Sequence, residues 1–335
     1  MILYHAISIF HILTVSVHKL AMHKKEKVIL ILPDFIVEKL PNYINLQVIF
    51  DEIYLFPYTK ITHNENTVAR QTEEEYFKLI PYKLGQMQKI YVAGAHFYFS
   101  LVLIEQRKKF YVFEDARGML KQHERLYEHL KTNYYIHAEI MKRHNMFELD
   151  NPYIKKIFCD KKENGIIGYK KKIKQWNTLE RYLKLKAYHR GEIISVFSKE
   201  KLKIDIQNSI LIMAQNFVGV GSMSLDQQET VFCKLKETLP KEKKIVIKTH
   251  PDDKFDYQKI FKGAYIINAV IPIELLSTFF HGNPLFILKF SSTASVFKKN
   301  YKVINFSKKY KYLYDYNNEY QSILTILNLG RNLYE

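Results

Sequence analysis

The sequence predicts an α/β protein with two Rossmann-like domains that face each other across a cleft. Its 335 residues are 47% hydrophobic, which is enough to form more than one sizeable core. Short apolar runs alternate with helical patterns, and this alternation starts a second time beyond a basic segment. We therefore expect domains at residues 1–150 and 204–335, joined by a helical segment at 151–203.

Apolar runs predict the strands of the first domain, and helical periodicity predicts the segments between them. The expected strands are Ile2–His5, Lys27–Leu32, Val48–Phe56, Lys89–Ala93 and Phe110–Phe113. The expected helices are Ile9–Ala21, Gln71–Leu84 and Phe97–Glu105. A β–α–β order of this kind predicts a parallel sheet with helices on both faces.

The same alternation predicts the second domain. Its expected strands are Ser209–Ala214, Lys244–Lys248, Ala264–Ile267, Leu285–Phe290 and Lys302–Phe306. Its expected helices are Leu225–Glu237, Lys254–Phe261 and Pro272–Phe280. Ligands of such folds bind beyond the carboxyl ends of the strands, so functional residues are expected there.

Cysteine usage and the N-terminal sequence indicate a cytoplasmic protein. Cys159 and Cys233 lack CxxC spacing, so neither a disulfide framework nor a zinc site is predicted. The apolar N-terminus has no basic leader and is interrupted by polar residues such as His5 and His11, so we interpret it as a strand followed by a helix.

The net charge of +17 is concentrated between Lys155 and Arg190, where twelve basic and three acidic residues give +9. Such a segment attracts an acidic glycan or the anionic inner face of the plasma membrane, and we expect Lys170, Lys171, Lys172 and Lys174 to bind an anion or the acceptor. The alternative is a solvated helix face. No nucleic-acid partner is expected, because helix-turn-helix, zinc-finger and RNP signatures are missing from the sequence.

Two adjacent carboxylates, Glu114 and Asp115, follow the expected strand that ends at Phe113, and Gly118 lies three residues further on. A carboxylate at a strand end can act as a general base when its surroundings favour the neutral form. Acid pairs are also common on protein surfaces, so the pair alone does not establish catalysis.

A second motif is formed by Lys248, Thr249, His250 and Pro251, where the proline prevents regular continuation of the strand. A histidine at this position can bind a phosphate or donate a proton to a leaving group. The alternative is a structural histidine.

Hydroxyl-rich residues follow the expected strand 285–290. Ser291, Ser292 and Thr293 can bind a phosphate or carboxylate through hydroxyl and backbone N–H groups, or can merely cap a helix. Pro272 and Glu274 open the preceding helix, where Glu274 could bind a ribose or only complement the helix dipole. Gln215 follows the first strand of this domain and is a further candidate donor-binding residue.

Together, Glu114-Asp115 with Gly118, His250-Pro251, Ile271–Glu274 and Ser291-Ser292 resemble the D/E-D/E-G, HP and SS motifs of bacterial GT-B sialyltransferases, including polysialyltransferases. The resemblance covers about two thirds of the chain. It implies a GT-B fold and an inverting transfer of sialic acid from CMP-sialic acid to a glycan hydroxyl, with an acidic or lipid-linked acceptor and no metal or other cofactor.

The resemblance also implies roles for individual residues. Glu114 or Asp115 would deprotonate the acceptor, His250 would stabilise the leaving group, Ser291 and Ser292 would contact the CMP phosphate, and Glu274 would bind the ribose. One departure is that the glycine of the acidic motif is displaced by two residues, because the sequence reads E-D-A-R-G. The departure leaves open which carboxylate is the base.

Two other GT-B activities fit the sequence. A teichoic-acid-type polyol-phosphate transferase would use a CDP-activated donor, but that family carries an Asp close before its serine pair, where this chain has Lys289-Phe290. A capsule or exopolysaccharide transferase with another nucleotide sugar is the second alternative.

Overall fold

The computed structural model of the protein describes residues 1–63, 66–115, 120, 123–160, 172–198, 203–291 and 301–334, with the backbone alone at positions 133, 331 and 332. The chain divides into two compact units, Met1–Glu200 and Lys201–Glu335. Each unit contains a parallel sheet, and in the described ranges helices lie between many of its successive strands, as the sequence predicts.

The first unit contains a seven-stranded sheet in the order β3-β2-β1-β4-β5-β6-β7. Its strands are β1 (Ile2–His5), β2 (Val28–Pro33), β3 (Glu52–Phe56), β4 (Lys89–Ala93), β5 (Phe110–Phe113), β6 (Ile154–Cys159) and β7 (Ile173–Gln175). All neighbouring pairs are parallel. The strand order reverses between β1 and β4, which is the point where sheets of this kind bind ligands.

Eight helices of the first unit lie in the described ranges: α1 (Ile9–Met22), α2 (Ile36–Lys39), α3 (Val68–Leu79), α4 (Phe99–Glu105), α5 (His123–Asn133), α6 (Tyr135–Arg143), α7 (Thr178–Leu183) and α8 (Ala187–Phe197). Helix α1 begins where the Ser8 hydroxyl accepts a hydrogen bond from the His11 N–H at 3.2 Å. Helix α3 ends at Leu79, two residues before Pro81, which disfavours helical backbone at the residue before it.

The expected strands Ile2–His5, Lys89–Ala93 and Phe110–Phe113 are confirmed with the same bounds. The expected strand Val48–Phe56 is wrong in its first part, because residues Tyr43–Val48 form a 3₁₀ helix. Asp51 exchanges hydrogen bonds with the backbone of Val28 through its own N–H and its carboxylate, so strand pairing starts only beyond it.

The helical interpretation of residues 151–203 is also wrong in its first part. Strands β6 and β7 extend the first sheet, and only α7 and α8 are helical. In β6 the side chains of Lys155 and Lys156 are exposed whereas Ile157, Phe158 and Cys159 are buried. Lys155 and Lys156 therefore lie on a strand whose apolar residues complete the core.

The second unit contains a five-stranded parallel sheet in the order β11-β10-β9-β13-β14. Its strands are β9 (Ile210–Met213), β10 (Ile245–Lys248), β11 (Tyr265–Ile267), β13 (Phe286–Lys289) and β14 (Val303–Asn305), and β8 (Ile204–Asp205) pairs separately with β12 (Phe280–His281). The helices are α9 (Leu225–Thr238), α10 (Ile273–Phe279), α11 (Phe306–Lys309) and α12 (Glu319–Leu327).

The expected helix Lys254–Phe261 is wrong, because only the 3₁₀ turn Tyr257–Lys259 forms there. The carboxylates of Asp253 and Asp256 accept hydrogen bonds from the N–H groups two residues ahead of each. Such local bonds compete with helical hydrogen bonding, which limits this segment to one short turn.

The thiol of Cys159 is buried at the end of β6, and the thiol of Cys233 is exposed on α9. Across the part of the chain that the structure describes, none of the helices combines the length and apolar character needed to cross a membrane.

Candidate functional site

Glu114 and Asp115 lie directly beyond β5 in the first unit, in the wall of a pocket at the carboxyl ends of β4 and β5. We call it the carboxylate pocket, and it encloses about 340 Å³, part of which is open to solvent. Its wall combines titratable and apolar side chains, among them His96, Glu114, Asp115, His123, Leu126 and Phe147. The predicted acidic pair is therefore part of a concave site.

The two carboxylates have different surroundings. Glu114 is 7% exposed, its N–H donates to the Phe158 carbonyl at 2.9 Å, and its Oε1 accepts a hydrogen bond from the Asp160 N–H at 2.6 Å. Both bonds join the end of β5 to the end of β6. Glu114 thus contributes to the connection between two strands.

Asp115 instead contacts two buried histidines. His11 Nε2 lies 2.9 Å from the Asp115 carbonyl oxygen and 3.4 Å from its Oδ1, and His96 Nδ1 lies 3.8 Å from the same Oδ1. The Asp115 side chain is 26% exposed, whereas those of His11 and His96 are almost fully buried. Burial lowers the pKa of both histidines, so both are neutral near pH 7.

The loop that carries His96 depends on Gly94, which has a φ of +90°. A Cβ at this position would lie 2.4 Å from Cδ1 of Ile7, so a side chain could not fit without displacing the Ile7 side chain. The His96 carbonyl in turn accepts a hydrogen bond from His137 Nε2 at 2.6 Å. Backbone conformation and packing thus fix His96 beside Asp115.

In the second unit, the structure brings Gln215 and Ser291 together at the carboxyl ends of the neighbouring strands β9 and β13. The Gln215 side-chain carbonyl accepts from the Ser291 N–H at 2.7 Å, and its amide nitrogen donates to the Ser291 hydroxyl at 2.8 Å. Two loops are therefore held together by one side chain.

Lys248 is the last residue of β10, and its side chain is buried although it carries an amine. Its Nζ donates to the carbonyls of Thr249 at 2.7 Å and Ala269 at 3.0 Å. Burial lowers its pKa to about 7, and the nearby Glu274 carboxylate partly opposes that shift. The amine is thus poised to gain a proton when an anion binds beside it.

Strand register places a second buried lysine in the same row of the sheet. Lys248 and Lys289 both pair with Met213 of the strand between them. Side chains in one row of a parallel sheet point to the same face, and two strand spacings separate the Cα atoms by about 10 Å. Lys289 is 3% exposed and is the residue that ends β13 immediately before Phe290 and Ser291.

His250 lies two residues beyond β10, and its side chain is 48% exposed. The Asp252 N–H donates to His250 Nδ1 at 3.1 Å, and a backbone N–H can only donate. The neutral imidazole therefore carries its hydrogen on Nε2, where it can be donated to a ligand. Thr249 and Pro251 flank this histidine and are partly buried.

Pro272 and Glu274 begin helix α10 as the sequence predicts, with Pro272 buried just before the first turn and Glu274 within it. Glu274 influences the charge state of Lys248, which links the α10 loop to the end of β10.

Several predicted site residues, namely Gly118, Lys170, Lys171, Ser292 and Thr293, lie outside the described residues. Lys172 and Lys174 are described and lie at the edge of the first sheet. Lys172 Nζ donates to the Asn151 carbonyl at 3.2 Å, and Lys174 Nζ lies 5.5 Å from the centre of the Phe158 ring.

Within the described ranges, no three or more His, Cys, Asp or Glu side chains are grouped so that they could hold a metal ion.

The sequence interpretation missed His11, His96 and Lys289 as site residues. His96 comes three residues after β4 and Lys289 ends β13, so the strand-end rule that selected the other motifs could have found both. His11 lies inside helix α1, and nothing in the sequence pattern shows that it contacts Asp115, 104 residues away.

Comparison with solved structures shows similarity over almost the whole chain. A structure of S. aureus MnaA with UDP has a TM-score of 0.57 at 12% identity, covering 99% of this chain and 89% of that one. The UDP-GlcNAc 2-epimerase of Methanocaldococcus jannaschii with UDP-GlcNAc and UDP has a TM-score of 0.54 at 14% identity, covering 98% and 100%. The GT-B domain of a Photobacterium damselae sialyltransferase has a TM-score of 0.46 at 13% identity, covering 99% and 97%.

No protein-family model matches the chain, and no curated protein matches it. At such low identities the similarity concerns the fold. The predicted fold class is confirmed: the chain is an α/β protein of the GT-B type with two Rossmann-like units.

Proposed function

We propose that the chain is an inverting, metal-independent glycosyltransferase that transfers sialic acid from CMP-sialic acid to a glycan hydroxyl during synthesis of a bacterial surface polysaccharide or lipooligosaccharide. The observation that carries the proposal is the pairing of Gln215 with Ser291 at the same sheet edge as Lys248 and His250. Those loops bear the HP and SS motifs, and the site offers donors suited to a phosphate.

The reaction requires a base for the acceptor and a stabiliser for the leaving phosphate. A carboxylate of the acidic pair takes the proton of the acceptor hydroxyl while the acceptor oxygen forms a bond to the anomeric carbon. The bond from that carbon to the CMP phosphate oxygen breaks, and CMP leaves with its electron pair. Nε2–H of His250 and the Ser291 hydroxyl stabilise the charge that develops on the phosphate.

The donor is tested by incubating the protein with CMP-sialic acid, CDP-polyols, UDP-GlcNAc and other UDP-sugars, with and without a glycan acceptor, in excess EDTA. We expect acceptor-dependent CMP release from CMP-sialic acid that the chelator does not diminish. Activity that requires added Mn²⁺ or Mg²⁺ would contradict metal independence. Consumption of a CDP- or UDP-activated donor in place of CMP-sialic acid would contradict the sialyltransferase assignment.

An epimerase is the second candidate, because UDP-GlcNAc 2-epimerases share this fold. An epimerase changes the configuration of the nucleotide sugar without changing its mass, and it needs no acceptor. Proton NMR of UDP-GlcNAc incubated with the protein alone therefore separates the two candidates, since a new anomeric signal without nucleotide release would identify an epimerase.

The acceptor is proposed to be acidic or bound to the inner face of the membrane, because Lys155 and Lys156 are exposed on β6 and Lys174 is exposed on the edge strand β7. Changing Lys172 and Lys174 to Glu should raise KM for an acidic glycan, or weaken binding to anionic vesicles, mainly at low salt. Turnover of a neutral acceptor is the control and should not change. If the variant and wild type have the same KM for the acidic glycan and the same affinity for anionic vesicles, this role is contradicted.

A further inference from the structure

We infer that Asp115 is the carboxylate that accepts the proton, and that His11 and His96 are positioning residues that hold it toward the carboxylate pocket. This inference rests on the proposed function, since it names the base of that same reaction. It starts from the different contacts of the two adjacent carboxylates.

Glu114 is poorly placed to act as a base. One of its carboxylate oxygens accepts a 2.6 Å hydrogen bond from the Asp160 N–H, and its side chain is buried at the junction of β5 and β6. An oxygen that accepts such a bond is less able to take up a proton, because protonation would weaken the bond. Asp115 is more exposed and lines the same pocket.

The protonation state of His11 follows from its contacts. Both oxygens near its Nε2, the Asp115 carbonyl at 2.9 Å and Oδ1 at 3.4 Å, act as acceptors, so Nε2 carries the hydrogen. Its Nδ1 is buried without a hydrogen-bond partner. A second proton on Nδ1 would therefore be buried and unsatisfied, which keeps the ring neutral and prevents His11 from serving as the base.

His96 is the second histidine that contacts the Asp115 carboxylate. Its Nδ1 lies 3.8 Å from Oδ1 of Asp115, and its backbone is held by His137 and by the conformation of Gly94. The two imidazoles therefore contact the same carboxylate oxygen from separate elements, helix α1 and the loop after β4. A carboxylate fixed in this way loses little rotational freedom when the acceptor binds.

The first experiment compares four variants with wild type using CMP-sialic acid and a saccharide acceptor. Asp115→Asn should lower kcat at least 100-fold, and Glu114→Gln should lower it much less once folding is verified. His11→Asn and His96→Asn should each lower kcat by about 10-fold or more with an unchanged KM for the donor, since misplacement of a catalytic group slows the chemical step. His144→Asn, in the same unit but outside the pocket, is the matched control.

Chemical rescue tests which of the two carboxylates acts as the base. Formate should restore activity to Asp115→Ala but not to Glu114→Ala. Rescue of Glu114→Ala alone would overturn the inference.

A measurement that needs no activity separates this inference from the proposed reaction. In protein labelled with ¹⁵N-histidine, His11 should show the neutral Nε2–H tautomer between pH 6 and 8, and Asp115→Asn should shift its ring signals whereas Glu114→Gln should not. An Nδ1–H tautomer or a charged ring would overturn the inference whichever donor the protein uses. A correct tautomer without CMP-sialic acid turnover would overturn only the proposed function.

Discussion

The side chain of Gln215 forms three hydrogen bonds with Ser291, one with its N–H and two with its hydroxyl, and thereby joins the loops after β9 and β13. The hydroxyl is oriented before any ligand binds. Preorganised donors stabilise a phosphate at low cost, so this pair should determine affinity for the nucleotide.

We therefore expect Gln215→Ala to weaken CMP binding about 10-fold, because the Ser291 loop loses its fixed orientation. Isothermal titration calorimetry with CMP measures this effect without requiring turnover. Gln321→Ala, an exposed glutamine on α12, is the matched control. Equal affinity of both variants and wild type would show that the pair does not serve the nucleotide.

Lys248 should take up a proton when a nucleotide binds. Its pKa of about 7 leaves the amine mostly neutral at pH 8, and a bound phosphate favours the charged form. Calorimetry of CMP binding at pH 8 in two buffers of different ionisation enthalpy should show an uptake approaching about one proton per site. Lys248→Met should abolish the uptake, and the same proton count in variant and wild type would contradict this assignment.

His250→Ala should lower kcat by about 100-fold, as expected for removal of a group that stabilises charge on a leaving phosphate. The side chain is about half exposed, so the fold should tolerate the change. His281→Ala, on the short strand β12, controls for the loss of an exposed imidazole. Near-normal turnover in a folded His250→Ala protein would contradict the proposed mechanism.

Acid should destabilise the first unit through its buried histidines. Burial lowers the pKa of His5 from 6.5 to about 3 and that of His137 to about 4. Below pH 6.5 the unfolded chain binds protons that these folded histidines exclude, so stability falls as the pH drops from 6.5 toward 3 to 4. At pH 5 the loss should be about 2 kcal/mol for each histidine.

The change in unfolding free energy between pH 7 and pH 5 can be measured in urea by the fluorescence of Trp176, the single tryptophan, which is buried in the first unit. His137→Gln should reduce this change by about 2 kcal/mol. His189→Gln, which alters a histidine that is only partly buried on α8, should leave it nearly unchanged. An identical pH dependence in all three proteins would refute the explanation.

The sequence was sufficient to predict the alternation of strands and helices because parallel strands buried on both faces are nearly continuous apolar runs, as in β2. The prediction was wrong for β6, because the exposed lysines that follow Ile154 interrupt the continuous apolar run expected of a buried strand. It also failed for the turn at Tyr257–Lys259, where side-chain bonds from Asp253 and Asp256 replace helical ones.

The sequence predicts a site residue only where that residue comes directly after the end of a single strand. His250 and Ser291 each follow a buried strand, and the strand-end rule finds them. The contact between His11 and Asp115 depends on which strands neighbour each other, with β1 and β5 both adjacent to β4. The order of strands in a sheet cannot be deduced from a single sequence. The contact of His11 with Asp115 could therefore be identified only from the structure.

The contrast between the two cysteines has a practical consequence for studying the protein in solution. Cys233 is exposed on α9 of the second unit, whereas Cys159 is shielded within the first sheet. A maleimide fluorophore should therefore attach selectively at Cys233 without any engineered substitution, since reactivity requires an accessible thiolate. Energy transfer from Trp176 to that fluorophore would then report the distance between these two labelled positions, with and without added nucleotide.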